Sequence, residues 1–456
     1  MSGRLVVVSN RVSAPKSTTA GNQGGLAVAL LAALREKGGV WFGWSGETTD
    51  AFTGALDTVE ADGVATATVD LEPQDVHEYY NGFANRTLWP LFHDRIDLTE
   101  FERDYEGGYL RVNCRLAETV RPLIGADDLV WVHDYHLIPL GEELRRLGLA
   151  NRIGFFLHIP WPQTRILQSL PHAEALVRSM FAYDVVGFHT RDWLDAFLEY
   201  VARLGAEPGP DGAVALDGRT VRAVVAPIGI DAREFEAAAA GDRARFARER
   251  MQMSLTWRQL LVGVDRLDYS KGLPERFHAY ERFLGRNPDL QGLVSLLQIA
   301  PPSREKVDTY QAIRAELDAL SGRINGEYSD IDWVPIRYVN RGYGRDELAG
   351  VYRAARVALV TPLRDGMNLV AKEYVAAQDP EDPGVLILSM FAGAAAQLAE
   401  ALIVNPFSAD DVADGIARAL AMPRAERVRR WEALMGNVRR EDVFWWRDRF
   451  LAALEG

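Results

Sequence analysis

The amino-acid sequence predicts an α/β protein made of two doubly wound domains, and three observations carry that expectation. Short apolar, β-branched runs without polar alternation recur along the chain, as strands covered on both faces require. Longer helical stretches separate them, so strand and helix alternate. At 456 residues the chain is too long for one ordinary core, which calls for two domains.

Strands are expected at Leu5–Val8, Leu129–Val132, Ile153–Leu157 and Val185–Phe188 in the first half. In the second half they are expected at Leu260–Val264, Leu293–Ile299, Ile331–Tyr338, Val357–Val360 and Val385–Leu388. Helical patterns cover Leu26–Leu34, Ala173–Phe181, Trp193–Leu204, Pro274–Leu284 and Leu348–Ala355. The break falls at Pro227-Ile228-Gly229-Ile230-Asp231, after which Glu234–Arg250, rich in Ala, Arg and Glu, reads as one solvated helix. Domains of 1–230 and 231–440 follow, facing each other across a cleft. In open α/β sheets ligands bind beyond the carboxyl ends of the strands, so residues just after strands matter most.

Charge narrows the function. The net charge of -13, from 51 Lys+Arg against 64 Asp+Glu, argues against a general binder of nucleic acid or anionic membrane. A small anionic substrate stays open, because a basic cleft can sit inside an acidic protein. The one cysteine, Cys114, permits no intramolecular disulfide. Leu5-Val6-Val7-Val8 is too short for a signal peptide, and no run nears the roughly 20 apolar residues that span a bilayer. A cytoplasmic protein is expected.

Several post-strand segments hold residues with chemistry. Ser9-Asn10-Arg11 follows the first strand and Gly24-Gly25 opens the next helix, where backbone N–H groups and the helix dipole suit an anion. A flexible loop running into a helix reads the same way, and the spacing is not the Gly-x-Gly-x-x-Gly of nicotinamide cofactors. Arg266 and Lys271 leave the first strand of the second domain together, where two cations suit a pyrophosphate. The alternative pairs them with Asp265 and Asp268 as a structural ion network. The Asp365-Gly366 turn leads into a helix N-terminus, with Glu373 two turns of helix after Gly366 and in reach of a pair of ribose hydroxyls. A carboxylate suits them because it accepts hydrogen bonds and donates none.

His133-Asp134-Tyr135-His136 and His158-Ile159-Pro160-Trp161-Pro162 both follow first-domain strands. Three histidines and an aspartate raise the thought of a metal. However, His133, inside a strand, faces away from His136 and no second acidic ligand is in view, so no metal site is expected. His158, on a rigid proline loop, suits fixed hydrogen bonding to a sugar. Trp41-Phe42-Gly43-Trp44, Tyr79-Tyr80 and Trp89 are either a stacking platform for sugar faces or ordinary core. Asp330-Ile331-Asp332 begins a strand rather than following one and is read as coincidence.

With these residues in view, the sequence resembles the bacterial trehalose-6-phosphate synthases, retaining enzymes of glycosyltransferase family 20. The likeness runs from Val6-Val7-Val8-Ser9-Asn10-Arg11 to Ile403-Val404-Asn405-Pro406. Between them lie Trp41-Phe42-Gly43-Trp44-Ser45-Gly46-Glu47-Thr48, the stretch Arg266 through Arg276, and Arg364 through Gln378. Departures are small: Gly21-Asn22-Gln23 precedes the Gly pair, and Trp161 stands where a smaller aromatic is common. The resemblance implies the GT-B arrangement of two Rossmann-like domains, the first taking the acceptor and the second the nucleotide sugar. A closing helix at 441–456 would return to the first domain.

The same resemblance implies roles. Gly25, Arg266 and Lys271 would hold the donor diphosphate, Glu373 the ribose, and the Leu369–Val370 backbone the donor's phosphate end. Ile336–Val339 would face the base. His158 and Asp365 would grip hydroxyls of the transferred glucose, joining Arg266 and Lys271 as the catalytic set. Arg11, Tyr80, Trp89 and Arg304 would bind the acceptor's 6-phosphate, and Asp134 and Trp44 its sugar. The implied substrates are a nucleoside-diphosphate glucose, uridine being the expected base, and glucose 6-phosphate. No cofactor, nucleic acid or membrane is called for, and a homo-oligomer, dimer or tetramer, is implied.

The chemistry must stabilise a departing diphosphate while the anomeric carbon gains positive charge. A double displacement needs two carboxylates about 5 Å apart across the bond, whereas the resemblance assigns Asp134 and Asp365 to hydroxyls. Same-face substitution, in which the leaving phosphate takes the acceptor's proton, is therefore expected. Alternatives are glycerol 3-phosphate as acceptor, a cyclitol donor coupled to a phosphorylated aminocyclitol, and a non-catalytic sensor of sugar phosphates. Intact Arg266, Lys271, Asp365 and Glu373 count against the sensor.

Overall fold

Runs of Val, Leu, Ile and Phe become central strands here because other elements cover both their faces. The structure is a computed structural model that describes residues 3–12, 25–61, 63–302 and 308–456. Two compact units result, Met1–Ile228 with Val443–Gly456, and Gly229–Asp442. Among the described residues, no helix is long and apolar enough to cross a membrane.

The first unit carries β1 (Leu5–Arg11), β2 (Gly39–Thr48), β3 (Asp57–Ala61), β4 (Val64–Leu71) and β5 (Leu129–His133). It continues with β6 (Ile153–Phe156), β7 (Val185–Phe188), β8 (Glu207–Pro208), β9 (Ala213–Leu216) and β10 (Arg219–Val225). Their order is β3-β4-β2-β1-β5-β6-β7-β10-β9-β8, parallel from β4 to β10 with antiparallel edges. Leu5 of β1 lies opposite both Gly39 and Leu129, so the strand order reverses between β1 and β5. Leu5 through Val8 are wholly buried, which is why that run shows no polar alternation.

The closing helix, Val443–Glu455, packs on this sheet. Phe450 stacks on Trp131 of β5 at 4.8 Å and meets Phe156 of β6 edge-on at 5.5 Å. Glycine makes the room: a Cβ on Gly154 would stand 2.7 Å from the Phe450 ring, and one on Gly187 2.8 Å from it. At the rim Arg447 pairs with Glu36 at 2.6 Å, and Lys37 pairs with Glu455.

The second unit holds β11 (Gln259–Val264), β12 (Val294–Ile299), β13 (Ile336–Val339), β14 (Val357–Val360), β15 (Val385–Ser389) and β16 (Leu402–Val404). All pairs are parallel in the order β13-β12-β11-β14-β15-β16, the doubly wound arrangement, with its reversal between β11 and β14.

Two expected elements differ. The strand expected at Ile331–Tyr338 is shorter, because Pro335 donates no ladder bond and only Ile336–Val339 pairs. Ahead of it Asp330 and Trp333 close a small bridge, and Asp332 pairs with Arg258 at 2.6 Å. The Asp-x-Asp therefore lies in this turn and does not begin a strand. Glu234–Arg250 is not one solvated helix. It belongs to two, Ala232–Ala240 and Asp242–Leu255, split at extended Gly241, with Phe235, Ala239, Ala244 and Ala247 buried.

Truncating Phe450 to Ala removes a ring held between two glycines and two aromatics. The expected loss of stability is about 3–5 kcal/mol, measured as a shift in the denaturant midpoint followed through the fluorescence of Trp131 and Trp446.

Candidate active site

The expected acceptor residues gather where β1 and β5 diverge. Arg11 ends β1 opposite Trp44 of β2, and its guanidinium lies 5.8 Å from that ring. Arg11 also lies against Gly46, whose φ is +95°; a Cβ there would stand 2.4 Å from the guanidinium. The positive φ favours glycine at that position, whereas the exposed Arg11 side chain could shift aside.

A π-helix, Val76–Leu88, supplies Tyr80; such helices are rare and recur at functional sites. Tyr80 meets Trp44 edge-on at 5.4 Å and stacks on His136 at 5.9 Å. From His136 the rings continue through Tyr135, at 3.9 Å, to Trp89, 5.7 Å further. Arg11 is exposed and Tyr80 half-buried, whereas Trp44 and Trp89 keep only 4% and 5% of their surface. The tryptophans can therefore offer a ligand little more than an edge. Arg304 lies outside the described residues, and Gly25 opens the helix Gly25–Lys37.

Asp134 follows β5 with φ of +75°, a strained conformation for a residue with a side chain. Its carboxylate accepts from the amides of Tyr135 and His158 at 3.0 and 3.2 Å. Parallel pairing sets His133 opposite Phe156, which brings His158 alongside. His133 Nδ1 and His158 Nε2 are 3.1 Å apart and the rings stack at 5.3 Å. Burial pushes His158 down to about 3 and His133 well below its usual value, so both are neutral at ordinary pH.

The second unit arranges its residues where β11 and β14 diverge. After β11, Asp268 caps the turn Tyr269–Lys271, accepting from Ser270 N and Oγ at 2.9 Å and from Tyr310 Oη at 2.9 Å. Arg266 is exposed just beyond the strand. Lys271 Nζ donates to Asp365 Oδ2 at 2.5 Å, and Asn368 Nδ2 reaches the same oxygen at 3.1 Å. Asn368 Oδ1 also caps the helix Leu369–Ala377 by accepting from Ala371 N at 3.2 Å. The amides of Leu369 and Val370 stand in the first turn, where no carbonyl of their own helix can reach them.

One turn on, burial pushes the Glu373 carboxyl up to about 7 against the opposing pull of Arg345. Beneath these groups Arg276 and Asp265 form a buried ion pair at 2.5 Å. Arg276 also donates to Thr361 Oγ1 at 2.9 Å and Gln298 Oε1 at 2.8 Å, joining β11, β12 and the segment after β14. The ion network is thus differently wired from the alternative drawn from sequence: Asp265 takes Arg276, and Lys271 takes Asp365.

Sequence reasoning missed three contributors. Asn368 carried a readable signal, an N-cap residue type just before a helix. Arg276 sat in the family motif without a role. His133 was weighed only as a metal ligand, and its contact with His158 depends on strand pairing. Among the described residues, no group of three or more His, Cys, Asp or Glu could hold a metal ion.

Comparison with known proteins places these features in context. The family model described as Glycosyltransferase family 20 matches residues 2–456. The chain is 48% identical over 451 residues to the trehalose-6-phosphate synthase of Sinorhizobium fredii, covering 98% of this chain and 97% of that one. Among solved structures it is similar to a UDP-forming alpha,alpha-trehalose-phosphate synthase from Burkholderia xenovorans in complex with glucose-6-phosphate. That likeness has a TM-score of 0.94 at 47% identity and covers 100% of both chains. It is also similar to the E. coli protein bound with UDP-2-fluoro glucose, with a TM-score of 0.95 at 46% identity over 99% of both chains.

Arg276→Ala would leave Asp265 buried without its partner. The expected cost is about 3–5 kcal/mol, read in equilibrium denaturation of the purified protein.

Proposed function

The chain belongs to glycosyltransferase family 20, and from that premise we propose that it transfers glucose from UDP-glucose to glucose 6-phosphate with retention. The products are trehalose 6-phosphate and UDP. The names of its relatives and the ligands bound to its structural neighbours support this chemistry; acceptors such as glycerol 3-phosphate, and cyclitol coupling, are not favoured. The observation that carries the reading is the Lys271–Asp365 pair beside the open start of the Leu369 helix. It sets a cation and a hydroxyl acceptor beside the N-cap of a helix whose first-turn amides no carbonyl of that helix can reach.

In this reading Arg266, Lys271, Gly25 and the Leu369 and Val370 amides take the diphosphate. Lys271 exchanges Asp365 for phosphate oxygens, and Asp365 turns to a hexose hydroxyl alongside His158. Glu373 accepts from the ribose, and Ile336–Val339 lines the base. Arg11, Tyr80, Trp89 and Arg304 take the acceptor phosphate, with Asp134 and Trp44 on its sugar. Residues 1–230 thus serve the acceptor and 231–440 the donor, apart from Gly25 and His158, which take the donor, and Arg304, which takes the acceptor. The resemblance also supports a homo-oligomer working in the cytoplasm.

The bond from the anomeric carbon to the diphosphate breaks as a bond to the acceptor hydroxyl forms on the same face. The acceptor's proton passes to the leaving phosphate oxygen. Asp134 and Asp365 suit positioning rather than nucleophilic attack, since each already holds two hydrogen-bond donors. Positioning and leaving-group stabilisation then supply the rate.

Arg266→Ala should lower kcat by about 10²–10³-fold, the scale of losing one preorganised transition-state donor, followed as UDP release. Near-normal turnover would refute its role. Glu373 adds a pH test. Its ionised form accepts from both ribose hydroxyls, so lowering pH through 7 protonates it and weakens donor binding. Between pH 8 and pH 6 the donor KM should rise by about tenfold at saturating acceptor. Glu373→Gln should flatten that dependence.

A further inference from the structure

His133 has no part in the reading above, yet it is the hydrogen-bond partner of His158. His133 Nδ1 and His158 Nε2 share one proton across 3.1 Å, so one ring donates and the other accepts. The rest of His133 decides which. Its other nitrogen, Nε2, is buried with no hydrogen-bond partner among the described residues. If His158 donated, His133 would have to carry its single proton on Nε2, as a buried N–H with no acceptor. If His133 donates from Nδ1, Nε2 keeps only a lone pair, the cheaper group to leave unpaired.

The surroundings point the same way. His133 packs against Trp131 at 4.6 Å and Trp446 at 6.2 Å. Both indole N–H groups are themselves buried without an acceptor among the described residues. This corner is short of acceptors, and a proton on Nε2 would add a third stranded donor. His189, 5.3 Å from His158, accepts from Ile228 N at its own Nδ1.

We propose that His133 is a positioning residue that fixes His158 as the Nδ1–H tautomer, so that His158 offers the transferred hexose a hydrogen-bond donor. With Nε2 engaged by His133, Nδ1 is the nitrogen left for a ligand. The proposal rests on the reading that His158 contacts the hexose. It adds the sign of that contact: the sugar hydroxyl accepts from His158, and its own proton is left free.

Nitrogen-15 NMR of histidine-labelled enzyme reads the tautomer directly, with the His158 signals identified by their loss in His158→Ala. A protonated Nδ1 and a pyridine-type Nε2 are expected, and a protonated Nε2 would overturn the proposal. Kinetics supply the second arm, with UDP-glucose and a series of its deoxyglucose analogues. His133→Phe should lower donor kcat/KM by about tenfold, the scale of one misplaced hydrogen bond, while leaving the acceptor KM within twofold. His133→Asn, whose amide N–H can take the place of Nδ1–H, should recover most of it. The loss should vanish with the deoxy donor that His158→Ala tolerates, and His133→Phe should add nothing to His158→Ala. Equal losses in the Phe and Asn variants, on every donor, would mark a merely structural residue. If no deoxy donor separates His158→Ala from the wild type while the tautomer is as stated, the sugar contact fails and the tautomer control stands.

Discussion

A diphosphate can leave a sugar readily only where positive charge already waits for it, and the cation proposed for that part, Lys271, is held in check by a carboxylate. Lys271 is largely buried, with Nζ at 2.5 Å from Asp365. An isolated ammonium so placed would be costly, and the pair offsets that cost. Because Asp365 also takes the Asn368 amide, it keeps a hydrogen bond when Lys271 turns away. In the proposed reaction the resting contact thus stores both groups close to where they are used.

Topology explains why such groups can be assembled at all. In each unit the strand order reverses once, between β1 and β5 and between β11 and β14. At a reversal the connections leave in opposite directions and the strand ends stay open. Arg11 and Asp134 stand at one opening, Arg266, Lys271 and Asp365 at the other. The buried Arg276–Asp265 pair braces the second opening from below, and the closing helix seals the aromatic face behind His133 in the first.

How much of this could be read from sequence depended on range. Strands such as Val185–Phe188 and Val357–Val360 coincide with the expectation because burial on both faces writes an apolar run. β4 was missed, since Val64–Leu71 places Thr66 and Thr68 among buried positions and so resembles a polar stretch. The π-helix was missed too, because its five-residue hydrogen bonding leaves no apolar period like that of an α-helix. Chemistry-bearing residues near Arg266 and Asp365 were legible as dense polar motifs after strands. The His133–His158 contact was not, because residues 25 apart meet only through the parallel register of β5 and β6.

The central claim is that the second unit's cations take the diphosphate, and a crystal structure with bound UDP-glucose tests it most directly. The account predicts Lys271 Nζ within hydrogen-bonding distance of a diphosphate oxygen and no longer on Asp365. A diphosphate seated away from Lys271, with the Lys271–Asp365 pair intact, would contradict it.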